Sequence, residues 1–348
     1  MHYRISACPG MRAVIRRVGL GMRAVIATEA GGPEVLSVVS RPDPEPRADE
    51  VLVRATAVGV NFIDTYRRAG VYPMPFPHIV GSEGAGTVVA VGRDVTRVAV
   101  GDRVAWASAP SSYAELVAVP ESAALVVPTD VPDDIAAAIP LQGMTAHFLV
   151  TSTYEVRPGS TVLVHAAAGG VGLLLTQLAS QRGARVIATV GSAQKEALAR
   201  EAGAAEVIRY RELDSLADDL PALVRTLTDG RGVDAAYDSV GRDTFDASLA
   251  SVRPRGTVVL FGGSSGPVEP FDPQRLNRAG SLFLTRPKLD DHIASPDELE
   301  WRSREVFSAV RSGALSVRIG ARYSLDDASD AHRALESRST TGKVLLLP

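Results

Sequence analysis

The stretch Val162-Leu-Val-His-Ala-Ala-Ala-Gly-Gly-Val-Gly-Leu-Leu-Leu-Thr-Gln-Leu-Ala179 is the clearest indication of how this chain folds. Its apolar beginning is typical of a buried strand, and the turn of small residues that follows leads into an apolar helix. Ala167, Gly169 and Gly172 occupy the three positions where a dinucleotide-binding turn requires small residues. The first backbone N–H groups of such a helix can bind a pyrophosphate. The stretch therefore predicts a strand, turn and helix that bind a dinucleotide.

Strand and helix patterns alternate on both sides of this stretch, from residue 145 to residue 284. Alternation of this kind predicts a doubly wound parallel sheet with helices on both faces, so this range forms a nucleotide-binding domain of the α/β class. The predicted strands are 161–165, 185–190, 206–209, 233–238, 257–262 and 281–284, and the predicted helices are 171–183, 192–202, 214–228 and 243–250.

The remaining sequence predicts a second, β-rich domain. From Met22 to about Val119 it consists of short strand patterns separated by glycine and proline, and residues 133–150 are predicted to be helical and to lead into the nucleotide-binding domain. Residues 285–348 are expected to return to this domain. They contain a helix that begins at the capping box Ser295-Pro-Asp-Glu298, a helix at 326–338 and a final strand at 343–347.

The first 21 residues differ from the rest of the chain. Met11-Arg-Ala-Val-Ile15 is repeated as Met22-Arg-Ala-Val-Ile26, and only the second copy leads into a strand pattern. No apolar core of a signal peptide is present. We interpret residues 1–21 as either a disordered extension or a mis-set start.

Composition and charge exclude several classes of protein. The formal net charge of −3 gives no electrostatic footprint for nucleic acid, and 45% hydrophobic with 22% charged residues is typical of a globular chain. Cys8 is the single cysteine, so the sequence encodes neither a disulfide framework nor a cysteine-based metal site. No apolar stretch is suited to span a membrane, and a cytoplasmic location is expected.

Four further motifs are Asn61-Phe-Ile-Asp-Thr-Tyr66, His165-Ala-Ala-Ala-Gly-Gly-Val-Gly172, Gly191-Ser-Ala-Gln-Lys195 and Tyr237-Asp-Ser-Val-Gly241. With them, the chain from Met22 to Pro348 resembles the zinc-free, zeta-crystallin-like NADPH:quinone oxidoreductases of the medium-chain dehydrogenase/reductase superfamily. The resemblance implies an α/β protein in which a GroES-like catalytic domain, residues 22–144 and 285–348, is interrupted by a Rossmann domain, residues 145–284. It also implies NADPH as the cofactor.

The resemblance also assigns the residues of the site. It places Asn61, Asp64 and Tyr66 in catalysis, and it places Tyr72 and Gln142 in the substrate cleft, where some relatives carry Lys instead of Gln142. The cofactor contacts that it implies are Phe62, Thr65, Gly169, Gly170, Val171, Gly191, Ser192, Lys195, Tyr210, Ser239, Phe261, Gly262, Gly263, Ser264, Leu284, Thr285, Arg286 and Arg338.

The residues after the glycine turn also favour NADPH over NADH. Folds that bind NAD place Asp or Glu about 20 residues after this turn, where the carboxylate binds the ribose 2′-hydroxyl. Val190 and Gly191 stand there instead, so no carboxylate repels a 2′-phosphate. Ser192 is placed to cap the next helix, and Lys195 adds a positive charge one turn later.

The metal ligands of zinc-dependent relatives have no counterparts in this sequence. Ser82 stands where the Gly-His-Glu pattern has its His, Asn61 lies near the position of a Cys ligand, and no cysteine follows Cys8. A metal-free site is therefore predicted, and its acceptor must itself be electron-poor. Asp64 and Glu83 remain as candidate carboxylates, and each is equally compatible with a buried, hydrogen-bonded structural role.

These features predict a metal-free, NADPH-dependent reduction of quinones or other electron-poor conjugated carbonyls. Asn61 would orient the cofactor ribose or the acceptor oxygen, and Tyr66 would donate a hydrogen bond to the developing oxyanion, with water as an alternative proton source. Two alternatives stay open. One is an enoyl or alkenal reductase with the same cofactor, and the other is a structural or RNA-binding crystallin-type protein that binds NADPH.

The strands predicted at 257–262 and 281–284 form one edge of the parallel sheet. The run Val258-Val-Leu-Phe261 is apolar and rich in β-forming residues, and an exposed edge of this kind invites pairing with a second chain. Relatives join two sheets in this way. We therefore expect a homodimer through this edge.

Overall fold

Short strands fill the first part of the chain, where β-branched residues alternate with small ones. The structure, a computed structural model, describes residues 21–348, so the interpretation of residues 1–21 concerns a segment that, apart from Gly21, lies outside this range. The elements are β1 (Met22–Ala27), β2 (Leu36–Arg41), β3 (Glu50–Val60), α1 (Phe62–Arg68), β4 (His78–Ile79), β5 (Glu83–Val91), β6 (Arg103–Trp106), β7 (Leu116–Pro120) and β8 (Leu125–Val126).

Two helices lead into a region where strands and helices alternate. The elements are α2 (Asp133–Ala138), α3 (Pro140–Phe148), β9 (Thr161–Val164), α4 (Gly170–Gln181), β10 (Arg185–Val190), α5 (Ala193–Glu201), β11 (Glu206–Arg209), α6 (Leu216–Leu227), β12 (Val233–Asp238), α7 (Phe245–Ser251), β13 (Val252–Leu260), α8 (Gln274–Arg278) and β14 (Phe283–Thr285). The strand order is β11-β10-β9-β12-β13-β14, and every neighbouring pair is parallel. The predicted doubly wound parallel sheet is confirmed.

The end of the chain contributes helices and two more strands. These are α9 (Leu289–His292), α10 (Pro296–Arg311), β15 (Ile319–Ser324), α11 (Ala328–Glu336) and β16 (Lys343–Leu347). The capping residue of α10 is Ser295, whose hydroxyl accepts a hydrogen bond from the Glu298 N–H at 3.2 Å, as the capping box predicts. Within residues 21–348, no helix combines the length and the apolar character that crossing a bilayer requires.

Strand β3 lies at the centre of the β-rich domain. It pairs antiparallel with β5, where Gly59 lies opposite Glu83, and with β16, where Val60 lies opposite Val344. The last strand of the chain therefore returns to the first domain, and the end of β3 meets both the start of β5 and the start of β16. The fold class, a β-rich domain combined with a doubly wound α/β domain, is confirmed.

The edge of the parallel sheet differs in detail from the expectation. Strand β14 is the outermost strand, and β13 lies inside the sheet between β12 and β14. Val258 and Val259 are fully buried as a result, so the apolar run around them is not an exposed edge. The exposed apolar side chain at this edge is Phe283, which is 64% exposed.

Candidate active site

One cavity of about 770 Å³ lies between the two domains. Its nucleotide-domain wall follows the carboxyl ends of several parallel strands, where ligands bind in open α/β sheets. Residues of α1 and of the loop after it form the opposite wall. The predicted site residues that line it are Asn61, Phe62, Tyr66, Tyr72, Gln142, Gly169, Gly170, Val171, Gly191, Lys195, Tyr210, Ser239, Phe261, Gly262, Ser264, Arg286 and Arg338.

The glycine turn is shaped for close contact between backbones. A Cβ atom on Gly172 would lie 2.3 Å from the Ala166 carbonyl oxygen and 2.8 Å from the Ala167 Cα, so any side chain would push α4 away from the turn. Gly169 precedes the first turn of α4, which has N–H groups without partners in the helix and whose first residues, Gly170 and Val171, line the cavity. The turn therefore leaves room for a pyrophosphate beside a helix N-terminus.

Basic groups gather at the far end of this wall. The Lys195 ammonium donates to the Arg338 carbonyl oxygen at 2.6 Å, and the Ser192 hydroxyl caps α5 by accepting from the Lys195 N–H at 3.3 Å. Burial lowers the pKa of Lys195, and the nearby charges of Arg211 and Arg338 lower it further. Such a cluster of positive charge can bind an additional phosphate group. A dinucleotide with an additional phosphate matches the glycine turn and the cluster together.

Tyr66 projects from α1 into the cavity. Its hydroxyl oxygen accepts a hydrogen bond from the Gly263 N–H at 3.2 Å, which joins the two domains. Burial raises the pKa of Tyr66, so its phenol keeps its proton at neutral pH. Among residues 21–348 that proton has no acceptor, and it is free for a ligand. Gly263 itself does not line the cavity, and its contribution is this N–H group.

Asn61, at the start of α1, is held by a buried ion pair. Its amide nitrogen donates to the Glu83 carboxylate at 2.8 Å, and its amide oxygen accepts from the Lys343 ammonium at 2.7 Å. Glu83 and Lys343 form a salt bridge and are 0% and 1% exposed. The other Glu83 oxygen accepts from the Leu141 N–H at 2.7 Å, at the start of α3. The ion pair therefore fixes the Asn61 amide that lines the cavity.

Gly59 makes this arrangement possible. A Cβ atom there would lie 2.3 Å from the Glu83 carboxylate and 2.7 Å from the Lys343 ammonium. The sequence had singled out neither Lys343 nor this glycine. The available signal was composition, since Lys343 is one of only three lysines against 34 arginines.

The structure places Asp64, predicted to act in catalysis, behind the cavity wall. Asp64 is fully buried and does not line the cavity. Its carboxylate accepts hydrogen bonds from the Asn61 N–H at 2.9 Å, the Ser82 hydroxyl at 2.9 Å and the Tyr113 hydroxyl at 3.2 Å. Burial is the main cause that raises the pKa of Asp64 to about 6. Of the two roles considered for this carboxylate, the structure supports the structural one.

Four other predicted cofactor contacts lie outside the cavity wall. Thr65 is buried and donates to the Phe62 carbonyl oxygen at 2.8 Å, within its own helix. Ser192 acts as the cap of α5. Leu284 and Thr285 belong to β14, and Leu284 packs against the apolar core on one side of the parallel sheet. None of these four residues lines the cavity.

Because the pKa of Asp64 is raised, we expect the stability of the protein to depend on pH. The pKa of the Asp64 carboxyl is raised from about 3.9 in the unfolded chain, so its stabilising contribution is complete below about pH 4 and is lost as pH rises through about 6. The free energy of unfolding of the native protein, relative to that of Asp64→Asn, should therefore decrease by about 1 kcal/mol between about pH 5 and about pH 8. Urea unfolding at both pH values measures this difference, and a constant difference would contradict the assignment.

The described residues contain no cluster suited to a metal ion. In residues 21–348, no group of three or more His, Cys, Asp or Glu side chains is placed to hold one. At the position expected for a His ligand, Ser82 donates instead to Asp64 and accepts from Arg67.

Comparison with known proteins places both domains among dehydrogenase families. Residues 47–129 match the family described as alcohol dehydrogenase GroES-like domain, and residues 170–286 match the family described as zinc-binding dehydrogenase. The chain is 45% identical to a quinone oxidoreductase of Pseudomonas aeruginosa, over 91% of this chain and 97% of that protein.

Two further proteins extend the comparison. A mycobacterial protein, solved as a complex with NADPH, superposes with a TM-score of 0.91 at 52% identity, over 94% of this chain and all of that one. A 2-haloacrylate reductase of Burkholderia is 38% identical over 93% of this chain and 98% of that protein. All three matches extend across both domains of this chain.

Proposed function

The chain belongs to the family of quinone oxidoreductases, and on this premise we propose that it reduces quinones or other electron-poor conjugated carbonyls with NADPH. The observation that carries the proposal is the cavity between the domains. It combines a glycine turn that leaves room for a pyrophosphate, the cations Lys195 and Arg338 for an added phosphate, and the free phenol of Tyr66. NADPH supplies the hydride when bound, and the site residues position the acceptor.

In this mechanism the protein acts mainly by positioning. The Asn61 amide, fixed by Glu83 and Lys343, orients the cofactor ribose or the acceptor oxygen. The Tyr66 hydroxyl accepts from the Gly263 N–H and directs its own proton toward the developing oxyanion of the acceptor. Water is the second source of a proton, because a hydroquinone anion is stable enough to be protonated after hydride transfer.

Replacing Tyr66 by Phe tests the role of the phenol. The variant loses one oxyanion donor but retains water as a proton source, so kcat with a quinone should decrease by roughly tenfold. Steady-state rates at saturating NADPH measure this effect. An unchanged kcat would contradict a donor role, and a decrease beyond about a thousandfold would show that water does not substitute for the phenol.

The choice between quinones and enones is tested by a panel of both under identical conditions. The Burkholderia relative, named for a conjugated alkene substrate, favours the enone alternative as a second activity. We expect higher kcat/KM values for the quinones, because without a metal the rate depends on the electron demand of the acceptor itself. A panel in which only enones or alkenals react would favour the alternative.

We also propose that the chain forms a homodimer in the cytoplasm. Strand β14 supports the assembly, because no other strand of residues 21–348 pairs with its outer edge and Phe283 is exposed there. Light scattering at micromolar concentration tests this. A single species of the 36.6 kDa mass of one chain would contradict it.

A further inference from the structure

The substrate side of the cavity carries a guanidinium that the proposed mechanism does not use. We propose that Arg67 binds an anionic group of the acceptor, so that the site favours quinones or conjugated alkenes that bear a carboxylate or a sulfonate. This inference rests on the proposed function and names a substrate class for it. Arg67 lies on the catalytic-domain wall, next to Tyr66 and in the cavity lining with Tyr72 and Met74.

Two successive arginines of α1 have opposite environments. Arg68 is buried and makes four hydrogen bonds, to the Gly31 carbonyl oxygen, to His332 and, through both terminal nitrogens, to the Glu336 carboxylate. Arg67 lines the cavity and makes one hydrogen bond, from Nη1 to the Ser82 hydroxyl at 2.6 Å. Within the chain from 21 to 348, no carboxylate lies within ion-pair distance of Arg67 and its other N–H groups have no protein acceptor.

The single hydrogen bond orients the Arg67 guanidinium. Ser82 accepts from Arg67 and donates to Asp64, so the serine hydroxyl separates the cation from the nearest carboxylate. Asp64 lies behind this wall and is fully buried, so it offers no competing anion at the cavity surface. The remaining donors of a planar guanidinium match the two oxygens of a carboxylate or sulfonate.

Most of the other charged groups of the cavity have a charged or hydrogen-bonding partner or belong to the proposed phosphate site, which contains Lys195 and Arg338. Of the acidic lining residues, Asp243 pairs with Arg338, and Asp290 accepts from the Ser108 hydroxyl at 3.3 Å. Lys288 also lines the cavity but forms a salt bridge with Asp291 at 3.2 Å. Arg286 also lines the cavity, and among residues 21–348 its one hydrogen bond goes from Nη1 to the Leu260 carbonyl oxygen at 3.1 Å. Arg67, next to Tyr66 on α1, is therefore one of two cavity arginines outside the phosphate site that retain donors for a ligand.

The size of the effect follows from the type of bond. A hydrogen bond between charged groups contributes about 1.5–3 kcal/mol, which corresponds to roughly a ten- to hundredfold change in affinity. In the proposed complex Arg67 binds the anionic substituent of the acceptor and not the group that is reduced. Most of the change should therefore affect the KM of the anionic acceptor. Added salt should weaken this preference, because ions screen a partly exposed pair.

The test compares 1,2-naphthoquinone with its 4-sulfonate, which carry the same reducible group. The measured quantity is the ratio of kcat/KM for the sulfonate to kcat/KM for the neutral quinone, at constant ionic strength and saturating NADPH. In Arg67→Gln this ratio should decrease by roughly ten- to hundredfold. Arg67→Lys keeps the charge but loses the planar arrangement of donors, and its ratio should lie between those of the native protein and Arg67→Gln.

Lys288→Gln is the matched control, because it removes a cation from the same cavity that already has a partner. Its ratio should stay within about twofold of the native ratio.

An unchanged ratio in Arg67→Gln, or an equal decrease in Lys288→Gln, would overturn the inference while leaving the proposed function intact. A native protein that reduces neither quinone, nor any enone or alkenal of the panel, would overturn the proposed function itself. If Arg67→Gln does not fold, a second measurement replaces it. The inhibition constant of naphthalene sulfonate, measured as a competitive inhibitor of the quinone, is compared between Arg67→Lys and the native protein. Equal inhibition constants would contradict the inference.

Discussion

Lys343→Met is expected to lower the free energy of unfolding by about 3–5 kcal/mol, because it leaves the fully buried Glu83 carboxylate without its counter-charge. The ammonium also donates to the Asn61 amide oxygen at 2.7 Å, so the orientation of this cavity residue is lost with the charge. The KM for NADPH should increase in parallel. Urea unfolding followed by fluorescence measures the first effect, and initial rates measure the second.

A double-mutant cycle separates the ion pair from the size of the side chain. In Glu83→Gln/Lys343→Met neither charge remains, and the Gln carbonyl can still accept from the Leu141 N–H. The double variant should recover at least half of the stability that Lys343→Met loses. Additive losses from the two single substitutions would contradict the interpretation of Glu83 and Lys343 as one unit.

Lys195→Ala is expected to reduce the preference for NADPH over NADH by roughly ten- to hundredfold in kcat/KM. The loss should fall on NADPH alone, since NADH lacks the 2′-phosphate that the ammonium would bind. The ammonium uses one donor on the Arg338 carbonyl oxygen, which leaves two for a ligand. Rates with each cofactor at a fixed quinone concentration give the ratio.

Arg200→Ala is the control for this experiment. Arg200 lies on the same helix as Lys195 and is half-exposed in an ion pair with Glu196, outside the cavity lining. Its removal subtracts the same charge without touching the proposed phosphate site, and the cofactor preference should stay within about twofold. Equal losses for both cofactors in Lys195→Ala would show that this lysine does not select the phosphate.

Much of the fold was predictable because it depends on local patterns. The glycine turn and the apolar runs beside it identify β9 and α4, and the capping box at Ser295 identifies the start of α10. Each of these signals lies within a few residues of the element that it predicts. The sheet edge was less predictable, because only the pairing of β14 shows that Val258 and Val259 are covered.

The site was predictable where the backbone carries the function, and less so where side chains meet across the chain. The pair of Glu83 and Lys343 joins residues 260 positions apart, and no local pattern announces it. Arg67 and Arg68 are neighbours on one short helix, yet only the positions of Ser82 and Glu336 show which of them faces the cavity. Carboxylates such as Asp64 present the same difficulty, since burial decides between catalysis and structure.

We propose that this chain transfers hydride from NADPH to a quinone without a metal. This proposal is tested most directly by the loss of NADPH absorbance with 1,2-naphthoquinone, using protein that has been dialysed against EDTA. We expect turnover in proportion to protein, unchanged by the dialysis, and a kcat/KM for NADPH at least about tenfold above that for NADH. Activity that disappears with the chelator and returns with zinc would contradict it.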